Sequence, residues 1–264
     1  MEKSGFVSRV RENGRRAGLR VGVLAFAVAV VSACAFADPV ARVLVTLETS
    51  VDLYEVDEQD SWAKVRTICS GVGCTYSAVM RSGVIYVSTA TAEGASTGTV
   101  RMFDLKGNPL GSLPEVPCRC DHLAVSPDGA YLFTAHGADK NIGQGGGKVY
   151  RYSFARGEWE LFANVGESCI RAMAFKGDTI YVAFRYVIVK RYKWGADVSG
   201  GPVSPMSNFG TGMKFASGLC INPADGYLWW SGRSSETVSF GRADPDDNSR
   251  HEEWSGGYQG WSSA

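Results

Sequence analysis

One short pattern recurs through this chain and limits what it can fold into more than any other feature. Five segments align without gaps: Val51-Asp-Leu-Tyr54-Glu-Val56, Val100-Arg-Met-Phe103-Asp-Leu105, Val149-Tyr-Arg-Tyr152-Ser-Phe154, Val189-Lys-Arg-Tyr192-Lys-Trp194 and the weaker Val238-Ser-Phe-Gly241-Arg-Ala243. Their starts lie 49, 49, 40 and 49 residues apart. An apolar first place, an aromatic fourth and an apolar sixth, kept at so even a spacing, mark a structural repeat.

A second element keeps step with the first. Val84-Ile-Tyr86, Ala130-Tyr-Leu132, Thr179-Ile-Tyr181 and Tyr227-Leu-Trp229 each follow a polar turn, such as Arg81-Ser82-Gly83 or Ser126-Pro127-Asp128-Gly129. A short apolar run precedes each turn, so each unit predicts a β-hairpin, because Pro presets φ and Asp-Gly accepts the positive φ that closes the turn. The five-fold segment then forms a third strand, and Trp159-Glu-Leu-Phe162 shows how a fourth follows. Four strands every 40 to 50 residues is the period of a propeller blade.

At Leu123-Ala-Val-Ser-Pro-Asp-Gly-Ala-Tyr-Leu-Phe-Thr-Ala135, continued by Gly147-Lys-Val-Tyr-Arg-Tyr152, the chain resembles the WD-repeat and YVTN-type β-propeller superfamily over roughly residues 42–255. The resemblance implies an all-β propeller of about five four-stranded blades, with five to six possible. A β-sandwich is the competing all-β reading. The first copy begins directly at Ala41-Arg-Val-Leu-Val-Thr46, one inner strand short, and the C-terminal stretch from Gly257 to Ala264 is expected to supply it and close the ring. Closure of that kind removes exposed sheet edges.

Ahead of the repeat lies a segment of different character. Six of the 27 basic residues fall within residues 1–20, which carry only Glu2 and Glu12, and the apolar run Val21 to Val31 follows. With Ala35-Phe36-Ala37 as a small-x-small end, residues 1–37 read as a secretory signal peptide and residues 38–264 as the propeller domain, the mature chain starting near Asp38. An eleven-residue helix rises only ~16 Å, about half a hydrocarbon core, so a signal anchor is the alternative. Arg15-Arg16 resembles a twin-arginine signal, and Val31-Ser-Ala-Cys34 resembles a lipobox that would lipidate Cys34. The expected location is secreted or extracytoplasmic. Removing residues 1–20 leaves 21 basic and 25 acidic side chains, a mildly acidic body that argues against a nucleic-acid partner.

Chemistry has few places to reside. Residues just before each inner strand would sit at the mouth of the central channel, and Arg119, Asp121, His122, Glu167, Arg171 and Lys214 form a mixed-charge set there, able to hold a polar or anionic molecule. Cys74, Cys120 and Cys169 fall at corresponding places, with Cys118 beside Cys120. In an oxidising compartment Cys69, Cys74, Cys118, Cys120, Cys169 and Cys220 are disulfide candidates, with a cross-blade Cys120 to Cys169 link, a local Cys69 to Cys74 loop and Cys220 as a buried cysteine the foremost readings. A thiolate and imidazole metal site from Cys118, Cys120, His122 and Cys169 is the sharper alternative. The Gly-x-Ser-x-Gly match at residues 94–98 and the glycine-rich residues 143–147 both lead into strands, where neither a nucleophile elbow nor a phosphate loop belongs. The sequence thus favours a non-catalytic module that binds a protein or glycan on a loop face, with no required cofactor. The alternative is a propeller enzyme of the lactonase, glycosidase or quinoprotein kind, in which Glu167, Asn222 and Asp121 could hold calcium.

Overall fold

The computed structural model describes residues 10–11, 20–21, 41–57, 61–90, 97–116, 118–135, 147–164, 170–184, 188–210, 216–233, 237–247 and 250–257. Among these residues every regular element is a strand, and no helix is long and apolar enough to cross a membrane. Near the N-terminus β1 (Val10–Arg11) and β2 (Arg20–Val21) form a two-residue antiparallel ladder. Of the signal's expected apolar core only Val21 is described, and the rest of that core and the cleavage end lie outside the described residues.

Residues 41–257 form five small antiparallel sheets, taken up strictly in chain order. The first holds three strands, β3 (Ala41–Thr46), β4 (Ser50–Val56) and β5 (Trp62–Ser70). The second holds β6 (Cys74–Arg81), β7 (Val84–Ala90), β8 (Thr99–Asp104) and β9 (Pro109–Ser112). In the third lie β10 (His122–Val125), β11 (Tyr131–Ala135), β12 (Lys148–Ser153) and β13 (Glu158–Asn164). The fourth comprises β14 (Ile170–Lys176), β15 (Thr179–Phe184), β16 (Ile188–Lys193) and β17 (Ser207–Gly210). The fifth comprises β18 (Ala216–Ile221), β19 (Leu228–Arg233), β20 (Thr237–Ala243) and β21 (His251–Gly257). Each copy of the five-fold segment is the third strand of a full sheet, or its counterpart β4 in the first sheet, and the stretch at Trp159 lies in a fourth strand. The expected closing strand from Gly257 to Ala264 lies outside the described residues beyond Gly257, which ends β21 opposite Thr237.

Turn chemistry fixes the registers. Arg81 pairs with Val84 across a two-residue loop in which Ser82 and Gly83 have φ of 49° and 77°, the pair of positive values that a type I′ hairpin turn requires. At the corresponding place in the third sheet Gly129 takes φ 71°, while Asp128 accepts hydrogen bonds from the Ser126 hydroxyl at 2.6 Å and the Ala130 amide at 2.9 Å.

Alternation along the strands gives every sheet two apolar faces, and successive sheets bury them against each other. Leu44, Val51 and Leu53 of the first sheet meet Ile85, Val87 and Phe103 of the second. Tyr86 and Val100 meet Leu132, Tyr150 and Tyr152. Phe133 and Phe162 meet Ile180, Val182 and Tyr192. Tyr181 and Val189 meet Leu228, Trp230 and Ala243. The recurrent aromatics Phe103, Tyr152 and Tyr192 thus each face the preceding sheet. Tyr54 leans on Trp62 of its own sheet, ring centroids 6.1 Å apart.

Two departures from the repeat follow from packing volume. The ladder slips the fifth copy two residues from the alignment that the sequence suggested: Ala243, opposite Leu228, takes the fourth place that Tyr192 holds opposite Ile180, while Gly241 pairs with Trp230. A Cβ on Gly241 would lie 2.4 Å from both the Trp230 ring and the Glu252 carbonyl oxygen. Trp230 fills the space that the small third-strand residues Gly241 and Ala243 leave. One position earlier in the repeat, facing the following sheet, Arg151 is almost fully buried: it donates to Glu160 and, at 2.6 Å, to the Trp194 carbonyl, and stacks 4.5 Å from the Tyr131 ring. Arg191 repeats the motif one sheet on, donating to the Pro245 carbonyl at 3.2 Å.

Candidate functional site

The innermost strands β6, β10, β14 and β18 stand side by side, and their first residues share one end of the stack. A buried serine pair ties two of them together: the Ser77 amide donates to the Ser88 hydroxyl at 2.9 Å, and the Leu123 amide donates to the Ser77 hydroxyl at 3.1 Å. At the leading end of three of these strands the register skips one residue, at Tyr76 in β6, Arg171 in β14 and Ser217 in β18. Such bulges turn the chain and redirect the side chain carried there. Asp121 takes the corresponding place immediately before β10, its amide reaching the Ala135 carbonyl at 3.1 Å. Four consecutive inner strands therefore present Tyr76, Asp121, Arg171 and Ser217 at equivalent backbone positions.

Around Asp121 the charges are organised. Arg119 donates from Nε to one carboxylate oxygen at 2.5 Å and from Nη2 to the other at 2.9 Å, a bidentate fork held in a largely buried setting. The two residues flank Cys120, so the fork closes a tight local loop. His122 follows directly as the first residue of β10, and its backbone carbonyl accepts the Thr134 hydroxyl at 2.9 Å. Part of the His122 surface stays open, yet its ring is desolvated and faces the Arg171 and Arg119 charges, which together push its pKa down to about 3. The imidazole is therefore neutral at ordinary pH.

That shift carries a stability consequence whose sign follows from proton counting. Below its ordinary pKa of 6.5 the histidine takes up a proton in the unfolded chain and not in the folded one, so acid favours unfolding until pH falls through about 3. Between pH 7 and pH 5 His122 is expected to withdraw at most about 2 kcal/mol of stability. Urea midpoints measured at both pH values for the native chain and for His122→Gln check this. The variant should lose less stability on acidification.

The cysteines lie close to this cluster. Cys118 and Cys120 are buried free thiols in sulfur-to-sulfur hydrogen-bond contact, and Cys120 also approaches the Cys118 carbonyl at 3.7 Å. The Cys120 contact and burial hold the Cys118 thiol well above its ordinary pKa. Cys69 and Cys220 are free thiols too, one in the first sheet and one in the fifth, and Cys220 is exposed rather than buried as the sequence suggested. It points away from the sheet-to-sheet core because it pairs with Trp229 on the far face of β19. No disulfide links the described cysteines; the Cys74 side chain and Cys169 lie outside them. Among the described residues no three His, Cys, Asp or Glu side chains gather as a metal-binding group.

Of the six residues expected at the channel mouth, Arg119, Asp121, His122 and Arg171 come together, while Glu167 and Lys214 lie outside the described residues. Sequence reasoning missed Lys148, the first residue of β12, whose charge also reaches Cys118. It missed Tyr76 and Ser217 as well. Their equivalence to Arg171 lies in the ladder registers and leaves no signal in the sequence.

No protein-family model matches the chain, and the search of curated proteins returns no match. Solved structures do share the fold. One described as hydrazine synthase of Kuenenia stuttgartiensis superposes with a TM-score of 0.55 and 17% identity, over 77% of this chain and 61% of that one. That protein contains a β-propeller, and the likeness, with the stack of small antiparallel sheets, makes this fold propeller-like. The chain spans only about three fifths of that structure's chain.

Proposed function

We propose that this chain is an exported, non-catalytic β-propeller of the WD/YVTN kind, with its five sheets as blades, that binds a protein or glycan partner through an acidic group held at the Arg119, Asp121, His122 and Arg171 cluster. The observation that supports this reading is the desolvated neutral imidazole flanked by two guanidinium groups. Lys148 adds a third cation nearby. Fixed positive charge around a neutral ring favours an anionic guest, and guanidinium groups suit carboxylates through paired hydrogen bonds. A neutral His122 also fits binding better than acid-base turnover, since a group with so low a pKa stays in one protonation state near pH 7.

Titration of the purified chain with polygalacturonate, neutral dextran and a polyglutamate peptide tests the reading. Binding to one of the two anionic probes and none to dextran is expected, with Arg171→Ala weakening it about tenfold, the worth of one charge-assisted contact. Because His122 stays uncharged, affinity should remain level between pH 5 and pH 8. Binding that is indifferent to Arg171→Ala, or that strengthens as pH falls through 6.5, would remove the cluster as the binding site. Stoichiometric calcium in the purified protein would favour the enzyme reading instead.

A further inference from the structure

The sheet stack has two ends, and both present aromatic side chains to solvent. In the fifth sheet Phe240 and Trp254 sit opposite each other across β20 and β21, 43% and 40% exposed, their rings 5.2 Å apart and stacked. Trp229 lies nearly parallel to Trp254 at 6.0 Å. These residues occupy the face that points away from the fourth sheet, since the alternate residues Leu228, Trp230 and Ala243 are those packed on it. In the first sheet Trp62 is 39% exposed beside Tyr54, on the face opposite the one that Leu44, Val51 and Leu53 bury against the second sheet.

The two faces carry the two halves of one contact that the chain already uses repeatedly. On the forward side of each inner pair an aromatic from the second strand, Tyr86, Phe133 or Tyr181, is covered by the next sheet. Trp229 stands at that place in the fifth sheet, with Arg242 opposite it as Arg191 is opposite Tyr181, and Phe240 stands at the place of Val149 and Val189, which the next sheet covers. On the rear side the third strand offers Phe103, Tyr152 or Tyr192 to the sheet before it, and Tyr54 stands at that place in the first sheet. Rings stacked against each other expose edges rather than flat faces, which suits interdigitation with another sheet better than stacking on a sugar.

We infer that the fifth-sheet face of one copy docks on the first-sheet face of a second copy, continuing the sheet-to-sheet packing between molecules. The inference rests on reading the sheets as blades of a ring that the described residues leave open, since no buried cluster among them joins the first sheet to the fifth. Such a contact is heterologous, joining unlike surfaces, so two copies can close on each other through two equal junctions.

Light scattering coupled to size exclusion, over a roughly hundredfold concentration range, tests this on the whole chain of 28.4 kDa. A mass of two chains or more is expected. Phe240→Glu and Trp62→Glu should each reduce it at low concentration, and a far-UV spectrum like that of the native chain shows that each variant is folded, with Trp254→Lys a second probe of the same face. Mixing the two variants in equal amounts should restore a two-chain species, because one junction then keeps both natural faces. A single-chain mass at every concentration overturns the inference, as does an oligomer unmoved by both substitutions or a mixture that stays at one chain. Monomeric protein whose tryptophan emission responds to added oligosaccharide would assign the face to a glycan instead. Anion titration of the variants reads the Arg119 and Arg171 cluster separately, so either reading can fail without the other.

Discussion

Replacing Asp121 with alanine is expected to destabilise the folded chain by about 3 to 5 kcal/mol, the usual cost of removing one partner from a buried ion pair. The carboxylate receives both arms of the Arg119 fork in a site nearly closed to water, so its loss concentrates positive charge among Arg119, Arg171 and Lys148. Urea unfolding followed by far-UV circular dichroism measures the loss. The double replacement Arg119→Met with Asp121→Leu should recover much of it, because no charge is then left stranded. A single Asp121→Ala costing less than about 1 kcal/mol would show that the guanidinium swings into water and that the pair has little part in shaping the site.

Gly241→Val is expected to cost about 3 kcal/mol or more. The added Cβ meets the Glu252 carbonyl in the β20 to β21 ladder and the ring of Trp230, which is itself buried against the fourth sheet. Neither neighbour can yield cheaply, since one is backbone and the other is enclosed. Pairing the substitution with Trp230→Val, which returns the second strand to the small residue found at Val182 in the fourth sheet, should offset part of the loss. Thermal unfolding of the single and double variants checks both statements, and additive losses would mean that the two side chains do not compete for one volume.

Most of the architecture was legible because hairpin turns and alternating strands are local signals. The pair Ser82-Gly83 and the run Ser126-Pro-Asp-Gly129 set registers that the repeat then propagated, and four of the six expected channel-mouth residues gathered for the same reason. What escaped was whatever depends on a partner distant in sequence. The segment at Val238 reads as a decayed fifth copy until the ladder shows it slipped by two, with Ala243 at the place of Tyr192 and Trp230 packed beside it. A bulge at Arg171 leaves no residue signature, so its equivalence to Tyr76 and Ser217 emerges only from the ladder registers. Cys220 reads as a buried cysteine beside apolar neighbours, but alternation along β18 turns it outward.

The volume exchange at Gly241 and Trp230 also bears on how such a chain tolerates genetic change. Where every junction has the same pair of complementary faces, a duplicated or deleted unit of 40 to 49 residues joins congruent surfaces and leaves the remaining junctions as they were. The fifth unit carries its exchange with it, because Trp230 and Gly241 pair on neighbouring strands of one sheet. A copy of it inserted elsewhere would bring the tryptophan and its recess together, and the match left to satisfy is with the sheet before it, which in the native order offers Tyr181, Ala183 and Val189 to Trp230. The compensation is local to the unit, and moving the unit does not undo it.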